Sequence, residues 1–583
     1  MTQFSGLARS SAILANAAVG LYASAIVGSR MHMALSRRDT LAQLGALFGL
    51  SALPAQGPHA VERFMALLAG DVSASDAQDD PLRGTIAAYQ AGRVRGGYTA
   101  AEITTRALER ARALGTTYHA VDLLADSALD EARASDARLR QKALRGALDG
   151  VPLFAKSIYD MKGLPTTASS AAWAQLFPQL VQRDALEVQR LRAAGAVLLG
   201  KTVADDFAYR GNGTSSLSGQ VRNPHDRAGQ RTPGGSSAGS AVVVACGGAF
   251  AALGTDDGGS NRIPAQFTGV VGVKPTFGLV PRTGVIPTWP VLDTHGPLAR
   301  SVADAALMLD AIAGPDTTDG LARTTPYTRG ALAALRADAL RGARLGLVEF
   351  HVPRTQMTSD AVRVFDQAIA DCSTAGAIVE PFNAPVHRAN VRELLNAASK
   401  ARGDVVPNDN APAPTANALL RYFTGQVAAQ GGSMDDARAM VRRGHTAFRA
   451  FYDVLPSTWD AMATLMEQPY EQDAASRSFL RSRDTLVAEL AAAMSAQRLD
   501  VMVYPTMPFG APLASDRWPD VRTTLGYGNA LGLPEVSVPA GYDALGMPTG
   551  NISFVGLPGS DARLLSLAHA YEQASKRFVA PPA

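Results

Sequence analysis

The chain has 583 residues, 47% of them hydrophobic and 18% charged, and a formal net charge of only +3. That balance excludes a disordered chain, and the lack of any Lys/Arg-rich run in its body argues against a nucleic-acid surface. Two cysteines, Cys246 and Cys372, cannot build a disulfide framework or a metal site; both fall in apolar helical patterns and read as buried free thiols. The nine histidines show no close metal-ligand spacing, so neither a metal nor another cofactor is expected.

The first 57 residues read as a leader rather than as fold. Ser36-Arg37-Arg38-Asp39-Thr40-Leu41 is a twin-arginine pattern, followed by the apolar run Leu44–Leu50 and a small-residue end at Pro54-Ala55. A membrane span would need about 20 apolar residues, so this order predicts export, to the periplasm, with no stable membrane contact after processing. Thr40 stands where such signals usually carry Phe. A second mildly apolar stretch, Ser11 to Gly28, lies ahead of the signal, which points to a translation start at Met31 or Met33; a membrane anchor at Ser11–Gly28 is the alternative.

From about residue 80 helices and strands alternate. Thr99-Ala100-Ala101-Glu102 is a capping box opening an amphipathic helix with Ala100, Ile103, Ala107, Ala111 and Leu114 on one face. Asp184 to Ala194 reads as a helix stopped by Gly195, then a short strand Ala196–Leu199. Ser301 caps a helix through Ile312. Arg344–Phe350, Ser359–Ala375 and Ala377–Pro381 read as strand, helix and strand. The pattern predicts an α/β layered fold with a largely parallel or mixed sheet. Between about 382 and 495 an Ala- and Arg-rich, helical stretch broken by the Pro407–Pro414 loop predicts a helical insertion over the core. Val501–Tyr504 and Val536–Val538 return to strands, and Leu564–Ala574 forms a terminal helix.

The informative segment runs from Arg231 to Thr276. Gly234-Gly235 allows a sharp turn into a helix whose start holds Ser236 and Ser237, and the pair Gly258-Gly259 puts Ser260 just past a buried strand. Backbone N–H groups on such a loop can point at a ligand oxygen. No Gly-Lys-Ser/Thr follows, so a phosphate loop is excluded, and the flanking apolar helix and strand do not suit a flexible linker.

Gly-Gly-Ser-Ser-Ala-Gly-Ser at 234–240, Gly-Thr-Asp-Asp-Gly-Gly-Ser-Asn-Arg-Ile-Pro-Ala at 254–265 and Gly-Val-Lys-Pro-Thr at 272–276 together resemble the amidase signature family. That family includes fatty-acid amide hydrolases, bacterial peptide and aryl amidases, and the glutaminase subunit of tRNA amidotransferases. The likeness extends to Gly150–Lys156, Gly163–Thr167, Val221–Pro224 and Gly296–Ser301 and, less strictly, to 529–574. It implies an α/β/α sandwich around a large mixed, twisted sheet, with 80–320 as the amidase core, 321–495 as an α/β continuation whose insertion shapes the entrance, and 496–583 completing the core.

By the same resemblance Ser260 would be the nucleophile, Ser236 the bridging serine on a cis peptide bond, and Lys156 the base. The backbone N–H groups of Asp257, Gly258 and Gly259, with that of Ser260, would form the oxyanion hole. A serine hydroxyl attacks only when a neighbour takes its proton, and a lysine can take it only when neutral, which burial favours. Asp256 and Arg262 read as an ion pair supporting the loop, with Ser237 beside it. The implied reaction is hydrolysis of the C–N bond of a small-molecule amide; esters and carbamates are alternatives at the same site. Asp257, Asn261, Ser157 and Gln266 depart from the family pattern and bear on the polarity of the acyl pocket. Gly235-Ser236-Ser237-Ala238-Gly239 also satisfies Gly-x-Ser-x-Gly, which would make Ser237 an α/β-hydrolase nucleophile with His569, but no strand leads directly into it. A non-catalytic protein of the same fold is the remaining alternative, and retention of Lys156, Ser236 and Ser260 together argues against it.

Overall fold

The computed structural model describes residues 80–322, 330–349, 352–383, 413–451, 466–467, 469, 471–472, 474–519 and 523–582; the leader pattern and most of Pro407–Pro414 lie outside them. The strands are β1 (Val121–Leu124), β2 (Pro152–Lys156), β3 (Val197–Thr202), β4 (Thr214–Ser215), β5 (Gly219–Gln220), β6 (Ala251–Thr255) and β7 (Val271–Lys274). After them come β8 (His295–Ala299), β9 (Arg344–Val348), β10 (Ile378–Phe382), β11 (Val501–Pro505), β12 (Glu535–Tyr542) and β13 (Pro548–Val555). Apart from the β4–β5 ribbon they join one 11-stranded sheet in the order β1-β3-β2-β6-β8-β7-β12-β13-β11-β9-β10.

The sheet is mixed rather than largely parallel. β3-β2-β6 and β11-β9-β10 run parallel, while the pairings from β6 through β8, β7, β12 and β13 to β11 are antiparallel. The middle of the sheet therefore joins residues near 271–299 to residues near 535–555. Helices flank it. Thr99 caps the Ala100–Tyr118 helix with the expected reciprocal bonds to Glu102. The helices Leu186–Ala193, Val302–Ile312, Ser359–Thr374 and Asp561–Ser575 occupy the predicted segments within a few residues. Cys372 is buried, whereas Cys246 ends the Ala238–Ala245 helix and is only partly so.

Four strands of the large sheet fall where sequence periodicity gave no strand: β1, β7, β8 and β13. Strand β13 carries Thr549, Asn551 and Ser553 in fully buried positions. Two of their side chains are met inside the sheet: Ser553 Oγ bonds Thr506 Oγ1 at 2.7 Å, and Asn551 Nδ2 donates to Val270 O at 3.2 Å. Alternation of apolar and polar residues signals a strand only where one face is wet.

The helices Ala413–Ala428, Met434–Phe451 and Ala474–Ala496 occupy the predicted insertion. The first docks through Tyr422, whose hydroxyl donates to Asp160 Oδ1 at 2.8 Å, and through Phe423, stacked on Trp173. Among the described residues no helix is long and apolar enough to cross a membrane.

Arg300, from the Gly296–Ser301 motif, is buried and ties the helical layer to the segment around Leu82 and Gly84. Its guanidinium donates to the carbonyls of Val244, Ala249, Leu82 and Gly84 at 2.7–2.8 Å. Removing it leaves four buried acceptors short of a donor. Arg300→Leu is therefore expected to lower the unfolding free energy by about 3–5 kcal/mol, read as a shift in the denaturation midpoint at constant slope.

Candidate active site

β2 and β6 are parallel neighbours inside the sheet, so Lys156 and Thr255 emerge side by side at the carboxyl ends of the two strands. Lys156 Nζ donates to Ser236 Oγ and to Thr255 Oγ1, both at 2.7 Å. The lysine is fully buried, and burial lowers its pKa to about 8 against the opposing pull of Asp257, Asp205, Asp256 and Asp293. With Thr255 taking one amine hydrogen, the position facing Ser236 can hold either an N–H or the lone pair. In the neutral amine, Ser236 Oγ–H can then donate to Lys156.

Ser236 follows the cis peptide bond Gly235–Ser236. A Cβ at Gly235 would stand 2.6 Å from Asp205 Oδ1 and 2.8 Å from Gly213 N, so only glycine fits there. The Asp205 N–H donates to Ser236 O at 3.2 Å. Ser237 N–H donates to Ser260 O at 3.2 Å, which joins the two serine loops. Lys156 and Ser236 are wholly buried, while Ser260 keeps 7% exposure. Access thus decreases from Ser260 through Ser236 to Lys156. No hydrogen bond links Ser260 Oγ to Ser236 Oγ here, as is common before a substrate tightens such a contact.

The predicted oxyanion group splits. Gly259 N–H is committed to Asp256 Oδ1 at 2.7 Å, whereas those of Asp257, Gly258 and Ser260 donate to no described residue. The space over Gly258 is open: a Cβ there would meet nothing within 4 Å. Three free donors beside open space suit a developing oxyanion.

Asp256 and Arg262 form a two-pronged pair, Nε to Oδ2 and Nη2 to Oδ1, both at 2.8 Å and both fully buried. Burial would raise the Asp256 pKa, but the Arg262 guanidinium overrides it and holds the carboxyl well below the usual range. Arg262 Nη1 also donates to Glu535 Oε2 at 2.7 Å, and Asn529 Nδ2 donates to Asp256 O at 2.8 Å. Thr255, Glu535, Asn529 and Asp205 were not foreseen. Glu535 and Asn529 lie 273 residues from their partners, and no local pattern announces them; the Thr255 hydroxyl, next to the loop motif at a strand end, was the one available clue.

Three of the four departures from the family pattern point inward. Asn261 Nδ2 donates to Val273 O and Gly296 O, Gln266 Nε2 to Phe509 O and Thr549 O, and Ser157 Oγ bonds Ser169 Oγ. Only Asp257 bears on the site. Its carboxyl sits beside that of Asp293, and neither oxygen finds a hydrogen bond of good geometry. Burial, reinforced by the Asp293 charge, pushes its pKa well up. Ser237 is fully buried, with its hydroxyl against Thr255 O and Asn261 Oδ1, so it cannot meet a substrate. His569 lies on the terminal helix with Nδ1 3.5 Å from Glu572. The elbow reading of Gly-x-Ser-x-Gly is thereby set aside. Among the described residues no group of three or more His, Cys, Asp or Glu could hold a metal ion.

A family model described as Amidase matches residues 102–565. A glutamyl-tRNA(Gln) amidotransferase component of Symbiobacterium thermophilum is 35% identical over 497 residues, covering 84% of this chain and 96% of the relative. Among solved structures, the native peptide amidase from Stenotrophomonas maltophilia superposes with a TM-score of 0.70 at 32% identity, covering 85% of this chain and 98% of that one. The peptide amidase PAM in complex with the competitive inhibitor chymostatin gives a TM-score of 0.72 at 32% identity, over 86% of this chain and 99% of that one.

Two measurements follow from the geometry. A base must be neutral to accept a proton, so kcat/KM is expected to fall tenfold per pH unit below about 8 and level off above it. Burial favours the protonated acid at Asp257, so Asp257→Asn, which keeps that position neutral, is expected to leave the acid limb close to its wild-type place. Arg262→Ala strands two buried carboxylates, and chemical denaturation is expected to register a loss of about 3–5 kcal/mol.

Proposed function

The chain belongs to the amidase family and is a hydrolase acting on amide bonds, and from that premise we propose that it cleaves a small carboxamide through an acyl-enzyme on Ser260. The observation that carries this reading is the buried amine of Lys156 bonded to Ser236 Oγ beneath the more accessible Ser260. In the proposed reaction Ser260 Oγ attacks the carbonyl carbon, its proton passes to Ser236, and the Ser236 proton passes to Lys156. The carbonyl oxygen takes the charge and is met by the N–H groups of Asp257, Gly258 and Ser260. Collapse of the adduct breaks the C–N bond, the amine leaves with the proton returned along the same path, and water releases the acid.

Peptide amides are the substrate class we favour, because the peptide amidases named above align over nearly their whole length. The amidotransferase relatives support a second reading, a component of an amidotransferase that requires protein partners. Release of ammonia from peptide amides by the purified chain alone supports the first; release from glutamine only, and only with a partner present, supports the second. Export through the twin-arginine pattern belongs to the first reading, and N-terminal sequencing of periplasmic protein tests it.

The chemistry itself is tested by a fluorophosphonate probe with mass-spectrometric mapping. Label on Ser260, slowed by about 10²–10⁴ in Lys156→Ala, is the expected outcome. Label on another serine, or equal labelling of the variant, would overturn the assignment.

A further inference from the structure

A cavity of about 440 Å³ lies between the core and the Ala413–Ala428 helix, lined among others by Asp293, His295, Arg183, Arg282, Asn417 and Arg421. It begins next to the chemistry. Asp293 is the carboxylate beside Asp257 of the oxyanion loop, and His295 faces Thr255 across the β6–β8 pairing.

The three arginines of its wall are not equivalent. Arg282 holds both oxygens of Asp319 at 2.6 and 2.8 Å, and Arg421 holds Glu471 at 2.5 and 2.6 Å. Arg183 makes no hydrogen bond or ion pair with any described residue, and its Nε is buried without a partner. The nearby carboxylate of Asp160 is already occupied by Thr166, Tyr422 and Gln426. Arg183 and Asp160 feel each other's charge, but a part-buried guanidinium with no anion in hydrogen-bond contact still has donors to satisfy.

Two further features fit this. A Cβ at Gly425 would stand 1.7 Å from Arg183 Nη2, so the guanidinium packs against the Ala413–Ala428 helix at a place only glycine leaves open. Glycine is a poor residue for a helix interior, and here it makes room for the arginine. Asn417, 5% exposed, donates through Nδ2 to Met466 O at 2.7 Å, and that bond fixes the amide so that the buried Oδ1 is left unpartnered. The cavity thus offers an unspent cationic donor and an unspent carbonyl acceptor, with acidic groups at the end next to the nucleophile loop.

Building on the acyl-enzyme reading, we propose that this cavity recognises the substrate and that Arg183 receives a carboxylate carried by the amide at a distance from its scissile bond. Asn417 Oδ1 accepts an N–H of the same molecule. Arg183 is a specificity residue, outside the proton relay.

The test compares matched amides that differ only in a terminal carboxylate, on either side of the scissile bond. Glutaryl against valeryl p-nitroanilide probes the acyl side, and 4-acetamidobenzoate against acetanilide probes the leaving-group side. The ratio of kcat/KM within a pair cancels losses common to both members. We expect the carboxylate to be preferred by about tenfold to a hundredfold in one series, the size of a charge-assisted hydrogen bond. That ratio is expected to collapse towards one in Arg183→Ala through KM, to survive in part in Arg183→Lys, and to drop in Gly425→Ala, which displaces the guanidinium while keeping its charge. A wild-type ratio near or below one in both series, or a ratio unchanged in Arg183→Ala, would overturn the proposal. So would inhibition of valeryl p-nitroanilide hydrolysis by free glutarate that depends on Arg183 while the ratios stay at one, since it would assign the anion to a separate ligand. Fluorophosphonate labelling of wild-type Ser260 is scored independently, so failure of the acyl-enzyme reading is told apart from failure of this one.

Discussion

A lysine amine taken out of water has to be held by partners that leave its lone pair usable, and much of this molecule answers that demand. Lys156 ends a strand whose five residues are all buried, and its amine meets two hydroxyls and no carboxylate at contact distance. Hydroxyls satisfy the amine without fixing its charge, because each can donate or accept. A carboxylate in the place of Thr255 would hold the ammonium form and silence the base. Asp205, Asp256, Asp257 and Asp293 all stand near enough to raise the lysine's pKa, yet the balance still falls below the ordinary value. Asp256 is neutralised by Arg262, and burial favours the protonated acid at Asp257 and at Asp205, the latter pushed up to about 7.

The nucleophile loop is fixed from the far end of the chain. Asp256 is gripped by Arg262 on one side and by Asn529 on the other, and Arg262 in turn reaches Glu535, which also accepts from Tyr504 at 2.9 Å. The adjacency of β7 and β12 in the sheet makes this possible, since it brings the Arg262–Thr268 segment against residues near 530. The N–H groups of Asp257, Gly258 and Ser260 have no partner among the described residues, while the Asp256 carboxylate and the Gly259 N–H are used within the loop and its brace. Gly259 N–H belongs to that second set, and counting it with the oxyanion donors would assign one hydrogen to two acceptors.

Lys156, Ser236 and Ser260 could be singled out in the sequence for a specific reason. They lie in motifs whose glycines and small residues answer to close backbone approach, as at Gly235, and such motifs survive as readable strings. Periodicity served well for helices with one wet face, such as Ala100–Tyr118, whose capping box was visible four residues at a time. It failed for β13 and β8, buried on both faces, where Thr549, Asn551 and Ser553 look like turn residues until their partners across the sheet are seen. It could not reach Glu535 or Asn529 at all, because nothing local records a contact made 273 residues away. Of the departures from the family pattern, Asn261, Gln266 and Ser157 looked like changes to the acyl pocket but proved to be bonded into the core, which leaves Asp257 as the one that alters the site.

Three parts of the chain thus carry three different duties. Residues 150–276 hold Lys156, Ser236 and the Ser260 loop, residues 501–555 brace that loop across the sheet, and the Ala413–Ala428 helix closes the neighbouring cavity. The brace and the relay share buried charges, so a change in either disturbs the other. The helix meets the core through Tyr422 and Gln426 on Asp160, through Phe423 on Trp173, and through Gly425 under Arg183, all away from Lys156 and Ser260. Residues on that helix can therefore alter what the cavity accepts without altering the burial of the amine. Asp293 is the exception, since it lines the cavity and also stands beside Asp257, so a ligand charge placed at that end is felt by the base itself. A cation there would favour ionised acids and would itself disfavour the ammonium form, whereas an anion would favour protonated acids and hold the amine as ammonium.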